Sequence, residues 1–252
     1  MNIRAKLDGH ELDLAALAHH FSTGDPRVVS DDEGTFIEAS ALETIGFDNS
    51  AGLVDTASHI LAELNGAARL EDPGYRPVKL RNRFHRAPSD THTLTSDEAR
   101  LQEHATVLVV GAVEARIGLS TTVTGKSIGS IPGPAPEPKQ RKHLTRAAAH
   151  PNVADLLTLI GRTEDLSWDV LWKAMEIVRA DLGGTAALLA TNWITADDFD
   201  VFGYSANHPD ASGPAARHAR RPPGTPPPWT MSIEQGQQFI RNLTREWLDS
   251  LR

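Results

Sequence analysis

Side chains that could bind a phosphate and move a proton are concentrated in residues 205–221. Asn207 and His208 stand near the start of this stretch, and Arg217 and His218 stand near its end. Amide and guanidinium groups donate hydrogen bonds to phosphate oxygens, and an imidazole can act as a general acid or base near neutral pH. We therefore take these four residues as the candidate catalytic set.

Two other interpretations of the same stretch stay open. Asn207 and His208 could simply end a helix before Pro209, because the residue before a proline disfavours the helical conformation. The stretch would then be a polar loop between two helices. A further hypothesis is contact with RNA phosphates, without cleavage, through Arg217, Arg220 and Arg221.

Motifs for other chemistries are incomplete. Residues 125–127 end like a phosphate-binding loop, but Ser120 stands where that loop requires its first glycine. Residues 203–207 resemble the turn around a hydrolase serine, but Asn207 replaces the second glycine. The sequence therefore favours neither a nucleotide-binding loop nor a serine hydrolase.

The acidic and imidazole groups elsewhere do not predict a metal site. Four histidines lack the helical pairing and the glutamate of a zinc site: His19, His20, His85 and His92. Three aspartates stand at the start of a predicted helix, where the helix dipole favours acids: Asp197, Asp198 and Asp200. We expect no metal and no cofactor.

Composition limits the class of protein. The chain has 252 residues and no cysteine, which excludes disulfides, thiolate zinc sites and cysteine nucleophiles. No stretch approaches the roughly 18 to 20 apolar residues of a membrane span, and the start lacks the apolar core of a signal peptide, so we expect a cytoplasmic protein without a membrane partner. The net charge of −8 falls mostly before residue 132, which disfavours nucleic acid there.

Two proline-rich stretches punctuate the chain. Residues 131–138 carry too many prolines for the interior of a helix or sheet, and we take them as a linker between domains at 1–130 and 139–252. The second stretch, 221–228, is followed by a capped helix. It is therefore predicted to be a surface loop of the second domain.

The first domain is predicted to be α+β, with a small antiparallel sheet and one main helix. Alternating apolar and polar residues predict strands at 2–7 and on both sides of a turn at 31–34. Helical spacing predicts the main helix over 52–64, ended by Asn65 and Gly66. Further strands are expected at 75–80, 106–117 and 119–124.

The second domain is predicted to be an all-α bundle of four or five helices. Pro151 opens a helix that Gly161 ends, and Ser167 caps the next helix. Capping boxes predict two more helix starts: Thr195 with Asp198, and Ser232 with Gln235. Aromatic residues at helical spacing are expected in the core: Trp168, Trp172, Phe199, Phe202 and Trp247.

The order of these pieces over residues 150–251 resembles the HEPN family, helical-bundle proteins of prokaryotic defence and toxin systems, many of which are metal-independent ribonucleases. In that family an arginine precedes a histidine by a few residues; the arginine neutralises phosphate charge and the histidine shuttles a proton for the 2′-hydroxyl. That spacing occurs here only outside the predicted bundle: Arg4 with His10, and Arg86 with His92. The resemblance therefore implies a degenerate, non-catalytic bundle.

The leading hypothesis is a non-enzymatic interaction or regulatory protein that binds a protein partner or associates with itself. It depends on two observations: the chain has clear signals for helices, and it has no complete catalytic signature. The alternative is a metal-independent ribonuclease whose site, in residues 205–221, is completed by a second subunit. Binding of RNA without cleavage is the third hypothesis.

Overall fold

The computed structural model describes residues 3–86, 90–93, 136–220 and 226–251, and its first part is built on an antiparallel sheet. The strands are β1 (Ile3–Asp8), β2 (Arg27–Asp31), β3 (Gly34–Glu38), β4 (Lys79–Arg86) and β5 (Asp90–Thr93). They lie in the order β2-β3-β1-β4-β5, with every neighbouring pair antiparallel. Burial alternates along β1, so that one face of the sheet enters the core.

Some helices lie between the strands along the chain and the others follow them. Within the described residues they are α1 (Glu11–His20), α2 (Ser40–Ile45), α3 (Ser50–Glu71), α4 (Lys139–Ala149), α5 (Pro151–Arg162), α6 (Trp168–Asp181), α7 (Thr185–Ala190), α8 (Ala196–Asn207), α9 (Pro209–Ser212) and α10 (Ile233–Ser250), with a 3-10 turn at Gly213–Ala215. The predicted class is confirmed: a small antiparallel sheet precedes a helical region. The strand at 2–7 and the hairpin around 31–34 are also confirmed.

The main helix is longer than predicted, because Asn65 and Gly66 do not end it. A Cβ atom at Gly66 would overlap the carbonyl oxygen of Leu157 on α5. A Cβ atom at Gly161 would likewise overlap the carbonyl oxygen of Ala62 on α3, and α5 continues past this glycine to Arg162. Both glycines therefore allow two helix backbones to touch rather than breaking their helices.

Asn65 is buried and fixes the chain that leads into β4. Its Nδ2 donates to the Val78 carbonyl oxygen at 2.8 Å, and its Oδ1 accepts from the Val78 amide at 3.0 Å and the Tyr75 hydroxyl at 2.6 Å. These bonds hold residues 75–78 against α3. The strand predicted at 75–80 therefore begins only at Lys79.

The helix starts predicted in the second half are present. Pro151 is the first residue of α5, and Ser167 is the N-cap of α6. Both predicted capping boxes are formed, at the starts of α8 and α10. Of the predicted core aromatics, Trp168, Phe202 and Trp247 are buried, whereas Trp172 and Phe199 are partly buried against the core.

One apolar cluster runs from the sheet through α3 and α5 to α6, α8 and α10. The described residues from Ile3 to Thr93 and from Pro138 to Leu251 make up one compact unit. The predicted strands at 106–117 and 119–124 lie outside the described residues, as does most of the linker at 131–138. The domain boundary there stays a prediction.

A helix that crosses a membrane must be both long and apolar. Among the described residues, no helix combines the two properties that a span requires.

Candidate functional site

Helix α8 positions the residues that the sequence selected. Its start is fixed by the Thr195 capping box, and its end is tied to the start of α10 through Ser205. The buried Ser205 hydroxyl donates to the Val201 carbonyl oxygen at 2.7 Å and accepts from the Met231 amide at 2.8 Å. The segment before α10 is thereby held beside the end of α8.

His208 lies between α8 and α9 and is 6% exposed. Its Nδ1 accepts from the Asp210 amide at 3.2 Å, so the ring caps α9. Its ring also stacks on Tyr204, with centroids 4.4 Å apart and planes at 13°. Because Nδ1 accepts a hydrogen bond, the neutral ring carries its proton on Nε2, and that nitrogen remains as a donor.

Asn207 ends α8 and is held at both ends of its amide. Its Nδ2 donates to the Gly203 carbonyl oxygen at 2.8 Å. Its Oδ1 accepts from Nη1 of Arg217 at 3.3 Å. The amide therefore links the helix end to the chain that follows α9.

Arg217 is exposed and contacts the helices through both its backbone and its side chain. Its amide donates to the Ala206 carbonyl oxygen at 2.9 Å. Its guanidinium lies 5.5 Å from the centroid of the Trp172 ring, and Nε lies 3.8 Å from Oδ1 of Asp169. The guanidinium thus contacts an aromatic ring, a carboxylate and the Asn207 amide.

Asn207 and His208 line a cleft of about 720 Å³, within the roughly 300 to 1,000 Å³ typical of ligand sites. Three of the four predicted catalytic residues line it, namely Asn207, His208 and His218, whereas Arg217 stands behind Asn207. The structure therefore brings most of the predicted set to one place. Of the predicted RNA-contacting arginines, Arg220 is exposed and Arg221 lies outside the described residues.

The other walls of the cleft are aromatic and acidic. Its aromatic side chains are Trp172, Phe199, Tyr204 and Trp229. Trp229 is 47% exposed and directly follows the second proline-rich stretch, whose Pro227 and Pro228 also line the cleft. Asp197 and Asp200 supply the negative charge.

Sequence reasoning did not assign the acidic and aromatic walls to a site. Asp197, Asp200 and Tyr204 follow i, i+3, i+7 spacing, which places them on one face of α8 and was the available signal. The wall around Trp229 could not be recognised in this way, because Trp229 lies far along the chain from the residues of α8. Of the three clustered aspartates, Asp198 forms the capping box.

A second cluster of charged groups joins α3, α4 and α10. Oε1 of Glu71 lies 2.8 Å from Nε2 of the buried His143, and its Oε2 lies 3.1 Å from Nη2 of Arg245. Burial raises the pKa of Glu71, but the His143 hydrogen bond and the Arg245 charge outweigh burial and hold that pKa below its ordinary value. The cluster ties three helices together.

The described part of the chain contains no group of three or more histidines and acids arranged to hold a metal ion.

Comparison with known proteins adds no assignment. No protein-family model, curated protein sequence or solved structure matches the chain. The candidate site is therefore defined by its own geometry.

Proposed function

We propose that the protein is a non-enzymatic interaction protein that binds a segment of a partner protein in the cleft at the end of α8. One observation carries this proposal: a half-exposed tryptophan, Trp229, stands on the wall of a sizeable cleft that also offers polar groups. Tryptophan is enriched at protein interfaces, because its ring buries a large apolar area while its N–H can still find a partner. We further propose a cytoplasmic location.

The resemblance of residues 150–251 to the HEPN family, and with it a place in a prokaryotic defence or toxin system, stays a prediction. It enters the proposal as the expectation that any ribonuclease chemistry of such a bundle is degenerate here. The contacts of Arg217 with Trp172 and Asp169 support that expectation, since a carboxylate and an aromatic ring already compete with a phosphate for the guanidinium.

The test is selection of peptides from a random library displayed on phage. We expect enriched peptides to bind the purified protein and to lose at least about tenfold in affinity on Trp229→Ala. Leu12→Ala is the matched control, because Leu12 is the other exposed large apolar side chain of the described residues and lies outside the cleft. Absence of enrichment, or equal loss in both variants, would contradict the proposal.

Self-association is a separate outcome of the same work. Light scattering of the unmodified protein and of Trp229→Ala would reveal it. A dimer that dissociates on Trp229→Ala would mean that a second copy fills the cleft, and would replace the partner segment in the proposal.

A second candidate function is metal-independent ribonuclease activity. It is favoured by the arrangement of Asn207, His208 and His218 around one cleft. Asp210 Oδ2, 3.6 Å from Nδ1 of His208, could pair with a protonated ring during proton transfer. The carboxylates of Asp197 and Asp200 oppose it, because they repel a phosphate in the same cleft.

Ribonuclease activity predicts cleavage of RNA in the presence of a metal chelator, with cyclic phosphate ends. His208→Ala and Arg217→Ala would each abolish it. If cleavage requires magnesium or survives both substitutions, the mechanism is wrong. If such cleavage is found, the non-enzymatic proposal is wrong.

A further inference from the structure

We propose that the cleft recognises an arginine side chain of the partner segment: the guanidinium binds Asp197 and Asp200, and His208 donates a hydrogen bond to a backbone carbonyl of the same segment. This inference rests on the proposed function and specifies the chemistry of the partner. Four features of the described residues support it.

The first feature is a pair of carboxylates that have no ion-pair partner among the described residues. Asp197 and Asp200 are exposed, line the cleft and stand one turn apart on α8. Neither forms an ion pair with another of the described residues, whereas Asp198 between them is bound to Thr195. Two carboxylates one helical turn apart suit a guanidinium, whose several N–H groups can reach both at once.

The second feature is the aromatic lining. A guanidinium is planar and weakly hydrated, so it stacks on aromatic rings more readily than an ammonium does. Tyr204 and the half-exposed Trp229 supply rings in the same cleft as the two carboxylates. This combination favours arginine over lysine.

The third feature is an arginine of the chain itself, held by the same chemistry. The Arg217 guanidinium lies 5.5 Å from the ring centroid of Trp172 and 3.8 Å from the Asp169 carboxylate. Trp172 also lines the cleft. An aromatic ring and an aspartate therefore already hold one guanidinium at this end of the helical region.

The fourth feature is the donor on His208. Because Nδ1 accepts from the Asp210 amide, Nε2–H is the donor of the neutral ring, and the ring lines the cleft while only 6% exposed. A backbone carbonyl oxygen of a peptide is the complementary acceptor. The site thus has an acceptor pair for the cation and a donor for the backbone beside it.

Charge decides between a basic peptide and an anion. Among the described residues that line the cleft, Asp197 and Asp200 are acidic and none is a lysine or an arginine. A phosphate-bearing ligand would meet repulsion where a basic peptide meets attraction.

The experiment is an NMR titration of the full chain with the blocked tripeptide acetyl-Gly-Arg-Gly-amide. The matched probes replace arginine by citrulline, which keeps the shape without the charge, or by lysine; inorganic phosphate is the anionic probe. We expect saturable shifts at the Trp229 indole N–H and at least about tenfold weaker binding of the citrulline peptide. The lysine peptide should bind between the two.

The protein variants are Asp197→Asn with Asp200→Asn, and Asp55→Asn as the control. Asp55 is an exposed helical aspartate that does not line the cleft. We expect the double variant to lose about tenfold in affinity for the arginine peptide and the control to lose none. Equal binding of the arginine and citrulline peptides, tighter binding of phosphate, or no saturable shift would overturn the inference.

The two proposals fail in different ways. If library-selected peptides bind through Trp229 but do not depend on a basic residue, the arginine inference is wrong and the interaction function stands. If no peptide binds at the cleft, both are wrong.

Discussion

Two histidines of this protein make the same local hydrogen bond in different surroundings. Nδ1 of His10 accepts from the Leu12 amide at the start of α1, and Nδ1 of His208 accepts from the Asp210 amide at the start of α9, both at 3.2 Å. The ring of His10 is exposed, whereas that of His208 is buried against Tyr204. The cap alone therefore does not define a site.

The difference lies in what the rest of the chain places around each ring. At His208, the segment carrying Trp229 and the acidic face of α8 form walls. Ser205 holds that segment in place by accepting from the Met231 amide. A capping histidine thus becomes part of a candidate binding site only where tertiary contacts enclose it.

The largest expected effect comes from removing the hydrogen bond between the Met231 amide and the Ser205 hydroxyl, which holds the segment of Trp229 beside α8. Ser205→Ala leaves the buried Met231 amide without its acceptor, which should lower the free energy of unfolding by about 1 to 3 kcal/mol. Guanidinium unfolding followed by tryptophan fluorescence measures it. Ser22→Ala, at an exposed serine, is the control and should change little; equal effects would show that the tether does not stabilise the fold.

A smaller effect separates the two histidines by ligand binding. His208→Asn and His10→Asn both keep a side chain that can cap a helix, but only the first replaces an imidazole that lines the cleft by a shorter side chain, whose N–H groups lie further from a bound peptide. We expect His208→Asn to weaken binding of a library-selected peptide by about three- to tenfold, the contribution of one hydrogen bond, and His10→Asn to leave it unchanged. Calorimetric titration measures both. Identical affinities would contradict the role of His208.

The free energy of unfolding should also differ between the two histidines when each is replaced by alanine, which cannot cap a helix. His208→Ala removes a cap and the stack on Tyr204, whereas His10→Ala removes a cap from an exposed position. We expect losses of about 1 to 2 kcal/mol and about 0.5 kcal/mol respectively. Denaturant midpoints with unchanged slopes would establish the order, and a reversed order would contradict the assigned burial effect.

The smallest expected effect is on the pH dependence of stability, and it comes from Glu71, whose carboxylate lies beside a third histidine, the buried His143. Because the folded state holds the pKa of Glu71 below its ordinary value of 4.5, ionised Glu71 stabilises the fold above that pH. This contribution is lost as the pH falls below 4.5 and through the lower folded pKa. Unfolding free energies measured over that range should decline less steeply for Glu71→Gln; parallel curves would contradict the assignment.

The sequence predicted features that depend on neighbours along the chain. The capping boxes of α8 and α10 were predictable, because residues three positions apart complete each other's hydrogen bonds. The strand β1 followed from alternation alone. Helix α4 was not predicted, because buried polar residues such as Arg141 and His143 interrupt its apolar stripe.

Features that depend on distant contacts were not predictable from local spacing. Gly66 resembles a helix terminator until α5 is seen to touch it. Asp197 and Asp200 resemble ordinary residues of a helix start until the segment of Trp229 is seen across from them. In both cases the missing information was the identity of the opposing chain segment, which spacing along the sequence does not encode.

The contact between α3 and α5 has a mechanical consequence. Where Gly66 and Gly161 meet the opposing backbones, no side chains stand between the helices that could change rotamer and absorb a displacement. Compression can remove little volume there, since pressure acts mainly on internal voids. We therefore expect the crossing of α3 and α5 to be stiff. When the sheet side and the cleft side move relative to each other, they should rotate about this contact without deforming it.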